Sequence, residues 1–204
     1  MKLVVASSNR GKLDEFSDLF GDSAWTLHAQ SEFCVDDADE TGLTFVENAL
    51  IKARHAARAT GLPALGDDSG LCVDALDGAP GLYSARYSGV HGDAKASIDK
   101  LLRALEHVPA PRRTAHFYCV LALLRHADDP QPLIAEGVWS GRILDTPRGG
   151  GGFGYDPVFF SPEHSCSAAE LPPALKNRIS HRGRALAALR ERLAAASGRF
   201  DRHY

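Results

Sequence analysis

At 204 residues, with 44% hydrophobic and 24% charged residues, the chain is long enough to bury a sizeable core and has the make-up of an ordinary soluble globular protein. A formal net charge of −3 supplies no global field for nucleic acid, so an anionic ligand must be held by local cations. Cys34, Cys72, Cys119 and Cys166 lie far apart with no Cys-x-x-Cys pair, which argues against a zinc site or a disulfide framework and makes reduced thiols in a cytoplasmic protein the expectation. Met1-Lys2 leads directly into Leu3-Val4-Val5-Ala6, too short for a signal-peptide core, and no run approaches the roughly 20 apolar residues of a membrane helix.

Lys2 to Ala6 reads as a buried first strand, after which Leu13, Phe16, Leu19 and Phe20 recur at helical spacing. Between them, Ser7-Ser8-Asn9-Arg10-Gly11-Lys12 is rich in small polar residues. A strand, such a loop and a helix start make an anion-binding layout, because free backbone N–H groups and the positive helix end face the loop. The alternative is a helix cap by Ser8 or Asn9 with Lys12 in solvent. The spacing does not fit the Walker pattern. Trp25 to Ala29 reads as a second strand, and Asp36-Asp37-Ala38-Asp39-Glu40 is an acidic run of the kind that usually forms a solvated face.

Thr44-Phe45-Val46-Glu47 is a capping box that starts a helix running through Ala49, Leu50, Ala53, Ala56 and Ala57 to Gly61, with Pro63 just beyond. Asn48 and Lys52, four residues apart, share one face of it, although a solvent-facing lysine is the plainer reading of Lys52. Next comes Gly66-Asp67-Asp68-Ser69-Gly70, between the apolar run Leu62 to Leu65 and the strand-like Leu71-Cys72-Val73. The expectation is a buried strand emerging into a turn that carries the acids. Neighbouring side chains of extended backbone point to opposite faces, so one acid works in a cleft while the other braces the turn. Without other context the stretch is a solvated turn.

Asp77 to Gly81 reads as a turn, and Arg86, between Tyr83 and Tyr87, fits either a structural ion pair or a phosphate contact. Ile98, Leu101, Leu102 and Leu105 make residues 94–107 a one-sided helix. Thr114 to Leu124 and Leu133 to Trp139 are strand candidates, and Pro130-Gln131-Pro132 suggests an antiparallel pair. The glycine-rich stretch Gly149 to Gly154 suggests either mobility or close backbone approach to a ligand. Phe153 within it could stack on a flat base or merely anchor the loop to the core. After the short run Val158-Phe159-Phe160, Lys176 to Arg184 is basic and rich in donors, and a last helix carries Leu186, Leu189 and Leu193.

Taken in order, Ser7-Ser8-Asn9-x-x-Lys12, Glu40-Thr41-Gly42-x-Thr44-Phe45-x-Glu47-Asn48-Ala49, Asp67-Asp68-Ser69-Gly70-Leu71, Ser84-Ala85-Arg86-Tyr87, Gly152-Phe153-Gly154-Tyr155-Asp156-Pro157 and Ser180-His181-Arg182-Gly183 resemble the inosine/xanthosine triphosphate pyrophosphatase family. The resemblance runs from Val4 to about Leu189. It implies an elongated α/β fold of inosine triphosphatase type, a single two-lobed domain over 1–204 with a long mixed sheet flanked by helices and a cleft between the lobes. It also implies a cytoplasmic homodimer that requires Mg²⁺, has no nucleic-acid or membrane partner, and cleaves dITP, ITP and XTP to the monophosphate and pyrophosphate.

Carried over residue by residue, Ser7, Ser8, Asn9, Arg10, Gly11 and Lys12 contact the triphosphate, with Lys52 joining them. Asp68 is the general base and a metal carboxylate. Asp39 or Glu40 completes the metal site; Glu40 is favoured because it stands five residues before Phe45. Ser69 contacts substrate; Phe153, Gly154, Tyr155 and Asp156 hold the base and sugar; Lys176, His181 and Arg182 read the base. The chain departs from the family at Ser8, where Gly or Asn is common, and at Gly66, where Ala is common. A pyrophosphatase for modified pyrimidine triphosphates and a non-catalytic nucleotide sensor are the alternative readings.

Overall fold

A computed structural model of the chain describes residues 1–7, 12–13, 16–17 and 25–196. Its strands are β1 (Lys2–Ala6), β2 (Thr26–Ala29), β3 (Ala64–Val73), β4 (Thr114–Leu124), β5 (Leu133–Ile143), β6 (Phe159–Ser161) and β7 (Cys166–Ser167). They form one sheet in the order β2-β1-β3-β4-β5-β6-β7. β1 runs parallel to β2 and β3, with Val4 opposite His28 and Ala6 opposite Gly66, whereas β5, β6 and β7 pair antiparallel. The sheet is therefore mixed, and helices α1 (Phe45–Thr60), α2 (Ala94–Ala104), α3 (Pro173–Ile179) and α4 (His181–Ala195) flank it. Among the described residues, no helix is long and apolar enough to cross a membrane.

The chain divides into two compact units, one made of Met1–Asp68, Cys119–Gly137 and the residues from Arg182 onward, the other of Ser69–Tyr118 and Val138–His181. The first unit's core joins Leu3, Val5, Leu65, Leu121, Leu123, Leu186 and Leu189. The second unit's core joins Leu71, Leu101, Trp139 and Phe159 around Phe117, whose ring centroid lies 4.6 Å from that of Phe159.

α1 starts and stops where its sequence signals lie. Thr44 Oγ1 accepts from the Glu47 N–H at 3.3 Å, the Glu47 carboxylate accepts from the Leu43 N–H at 2.8 Å, and Gly61 ends the helix at φ 67°. The glutamate thus reaches back one residue earlier than an ideal capping box would. Ala49, Ala53, Ala56 and Ala57 form the buried face. These small side chains let the helix backbone come so close to β3 that a Cβ at Gly66 would stand 2.1 Å from the Ala49 carbonyl oxygen. Gly66, one of the two departures from the family pattern, is the residue this approach leaves room for.

The expected turn at residues 66–70 is corrected. All of Ala64–Val73 is strand, with Asp67 2% and Asp68 7% exposed. The glycines serve close backbone approach instead of chain reversal, since a Cβ at Gly70 would lie 2.3 Å from the Gly81 carbonyl oxygen. β5 likewise runs on past Trp139 to Ile143. β1, β4 and α1 fall where the sequence places them. Leu19 and Phe20 of the expected first helix lie outside the described residues.

Candidate active site

In the first unit, the contact of α1 with β3 at Gly66 sets Asn48 and Lys52 beside Asp68. Lys52 Nζ donates to Asp68 Oδ1 at 2.8 Å and to Glu40 Oε1 at 2.9 Å. Asn48 Nδ2 lies 3.4 Å from Asp68 Oδ2, and Asn48 Oδ1 accepts from the Gly42 N–H at 2.8 Å, which fixes the amide's orientation. Burial pushes the Asp68 carboxyl above its ordinary value against the pull of Lys52, and the Glu40 charge adds to the rise. A carboxylate made more basic in this way is suited to accept a proton. Burial disfavours the charged form of Lys52, yet the acids around it hold its ammonium above the ordinary value.

One lysine thus bridges two carboxylates. Among the described residues no three His, Cys, Asp or Glu side chains form a ready-made metal cluster. Magnesium binds through one or two carboxylates and fills its remaining positions with water and phosphate oxygens, so Glu40 and Asp68, two hard-oxygen donors converging on one cation, fit it. Asp39 is exposed. That difference favours Glu40 as the partner of Asp68.

Asp67 has different partners. Lys12 Nζ pairs with its Oδ1, Arg182 Nε donates to its Oδ2 at 3.0 Å, and Cys119 Sγ lies 3.5 Å from the same oxygen. Burial pushes this carboxyl up, but Lys12, Arg182 and Lys52 outweigh it and hold the group well below the usual carboxylate range. Burial, with the Asp67 charge beside it, drives the Cys119 thiol well above its ordinary value; it is a core thiol and not a nucleophile.

The second unit carries another Lys–Asp pair, here with both residues buried. Lys176 Nζ donates to Asp156 Oδ2 at 2.5 Å and stands 4.8 Å from the centroid of the Phe153 ring. The Phe153 N–H donates to the same Asp156 oxygen at 2.8 Å. Gly152 makes this possible: its φ is +70°, and a Cβ there would lie 2.1 Å from Asp156 Oδ2. Phe153 itself is 45% exposed, so the loop presents its ring outward and does not use it as a core anchor. Tyr155 donates from its hydroxyl to the Ser84 carbonyl at 2.9 Å, and burial raises its phenol to about 12. His181 stacks on Phe117 with centroids 4.7 Å apart and planes 13° off parallel.

The structure therefore gathers Lys52, Glu40 and Asp68 into one cluster, Lys12, Asp67 and Arg182 into another, and Phe153, Asp156 and Lys176 into a third. Lys176, His181 and Arg182 are 8%, 8% and 2% exposed, so the basic segment is not a solvated linker. Ser7 and Ser69 are described and partly buried, and Gly154 has φ +59°; Ser8, Asn9, Arg10 and Gly11 lie outside the described residues. Arg86 stacks over the Tyr83 ring at 5.1 Å. Sequence reasoning passed over Asn48 as an orienting group, although its shared helix face with Lys52 was a usable signal. It had no signal for Phe117 as the platform under His181.

The mixed sheet flanked by helices makes the chain an α/β protein, and its first unit carries a carboxylate pair bridged by one lysine. The chain belongs to the Ham1 family, whose model matches residues 3–192. It is 62% identical to the dITP/XTP pyrophosphatase of Xanthomonas campestris pv. campestris (strain 8004) over 195 residues, covering 96% of this chain and 98% of that one. It is 56% identical to the dITP/XTP pyrophosphatase of Vibrio cholerae serotype O1, covering 91% and 92%. A solved HAM1 protein from Coxiella burnetii superposes with a TM-score of 0.90 at 52% identity, covering 96% of this chain and 99% of that one.

Proposed function

We propose that this chain is a nucleoside triphosphate pyrophosphatase that hydrolyses dITP, ITP and XTP to the nucleoside monophosphate and pyrophosphate, so that deaminated purines are kept out of DNA and RNA. Its similarity to dITP/XTP pyrophosphatases along almost its whole length supports this reading, and the single observation that carries the chemistry is the bridging of Glu40 and Asp68 by Lys52. Asp68 accepts the proton of the water that attacks the α-phosphorus. Lys12 and Lys52 balance the charge of the departing pyrophosphate, with Ser7, Ser8, Asn9, Arg10, Gly11 and Ser69 as further contacts to the substrate. Glu40 and Asp68 would hold Mg²⁺, which would polarise the phosphate oxygens as a Lewis acid.

Phe153 takes the face of the base, and Gly154, Tyr155 and Asp156 hold the base and sugar side. Hypoxanthine and xanthine offer an O6 acceptor to the donors Lys176, His181 and Arg182. Adenine puts an amino donor at that place, and an unmatched buried polar group costs about 1–3 kcal/mol. Selection against ATP follows from that mismatch. The enzyme acts in the cytoplasm as a homodimer, without a nucleic-acid or membrane partner.

Incubation with dITP, XTP, ATP and GTP and Mg²⁺ tests the reading. We expect pyrophosphate and monophosphate from dITP and XTP, with ATP turned over far more slowly. Release of orthophosphate alone, or equal turnover of ATP, would overturn it.

A further inference from the structure

Asp67 has no part in the chemistry above, yet it joins two residues that do. One of its oxygens pairs with Lys12 and the other accepts from Arg182 Nε at 3.0 Å. The side chains of Asp67 and Arg182 are 0% and 3% exposed, and that of Lys12 is 17% exposed. The two cations come from opposite ends of the chain, 55 residues before and 115 residues after Asp67. Lys12 lies just past β1, and Arg182 lies in the first turn of α4. Strand alternation points Asp67 and Asp68 to opposite faces, so their hydrogen-bond partners differ although Lys52 lies near enough to act on both charges.

A carboxylate has acceptor sites for two cations at once. Held so, each cation is placed by an oxygen whose own position depends on the other cation. Removing one partner leaves the buried charge undercompensated and the remaining pair free to shift. On the proposed reading, Lys12 serves the phosphates and Arg182 serves the base.

We infer that Asp67 is a positioning residue that yokes Lys12 to Arg182, so that affinity for the phosphate end of the substrate depends on the residue that reads its base. The inference rests on the functional reading above and adds a coupling to it. Asparagine at this position keeps the shape, but its amide nitrogen turns donors toward one of the two cations.

The test uses the full chain and two probes measured by calorimetry, inorganic pyrophosphate and inosine 5′-monophosphate. Loss of a hydrogen bond to a charged group commonly weakens an interaction about tenfold or more, so Asp67→Asn should weaken both probes by about that factor. Arg182→Met should weaken pyrophosphate several-fold, although pyrophosphate has no base for Arg182 to read. If only the lost positive charge mattered, adding Asp67→Asn to Arg182→Met would restore the charge balance and the affinity. The yoke predicts no recovery.

Pyrophosphate binding within about twofold of the parent in Arg182→Met, recovery in the double variant, or an Asp67→Asn protein with a lower melting temperature and unchanged probe affinities would each overturn the inference. Should Asp67→Asn fail to fold, Arg182→Lys, which keeps the charge but lacks the Nε donor, takes its place: the yoke predicts pyrophosphate binding as weak as in Arg182→Met, and affinity within about twofold of the parent would overturn it. A parent protein that releases no pyrophosphate from dITP instead contradicts the functional reading, so the two failures are distinguishable.

Discussion

Each unit holds a lysine against an aspartate, Lys52 half-buried and Lys176 buried, but the two sets differ in their number of carboxylates. In the first unit Lys52 meets two carboxylates, Glu40 and Asp68. In the second, Lys176 meets Asp156 beside a phenyl ring, and the pair is balanced. Two carboxylates together suit a divalent cation and the phosphates it accompanies. A balanced pair that pins a glycine-rich turn under an outward-facing ring suits a flat, neutral base. On the proposed reading the first set serves the phosphates and the second the base.

The strongest way to break that contrast is Asp68→Asn, which removes one of the two carboxylates and the proton acceptor together. Turnover of dITP should fall by about 10²–10⁴-fold, the usual worth of a positioned general base, with folding intact by circular dichroism. Next in size is Phe153→Ala. Stacking on an aromatic ring is worth about 1–3 kcal/mol per base, so KM for dITP should rise between roughly fivefold and 100-fold while kcat changes less. Gly152→Ala should mimic it, because the new Cβ meets Asp156 Oδ2 at 2.1 Å and shifts the turn that presents the ring.

A smaller effect concerns stability against pH in chelator-treated protein. The folded Asp67 carboxyl lies well below its ordinary value of 3.8, because Lys12, Arg182 and Lys52 outweigh its burial. A depressed carboxylate contributes stability that is present above its unfolded value and is lost as pH falls below it toward the folded value. Urea midpoints should therefore decline below about pH 4, and Asp67→Asn should flatten that decline. The smallest effect belongs to Asp39→Asn, which touches an exposed side chain. Its Mg²⁺ dependence should match the parent, whereas Glu40→Gln should demand more metal; equal shifts in the two would return Asp39 to the metal site.

Much of the fold was legible because the signals are local. The apolar run of β1, the cap and alanine face of α1 and the long apolar stretch of β4 each lie within a dozen or so residues. Gly66 to Gly70 misled for the same reason: glycines, aspartates and serine are turn formers by composition. Here the glycines make room for the Ala49 and Gly81 backbones, and the aspartates are satisfied by cations 16, 55 and 115 residues away. No local pattern carries partners at such separations. Strand alternation did separate the two acids, and the structure gives Asp67 and Asp68 the distinct surroundings it required.

The most direct measurement of the proposed chemistry is hydrolysis of dITP in ¹⁸O-labelled water with mass analysis of both products. Attack at the α-phosphorus puts the label in deoxyinosine monophosphate and leaves the pyrophosphate unlabelled. Label in the pyrophosphate, or in free orthophosphate, would contradict it.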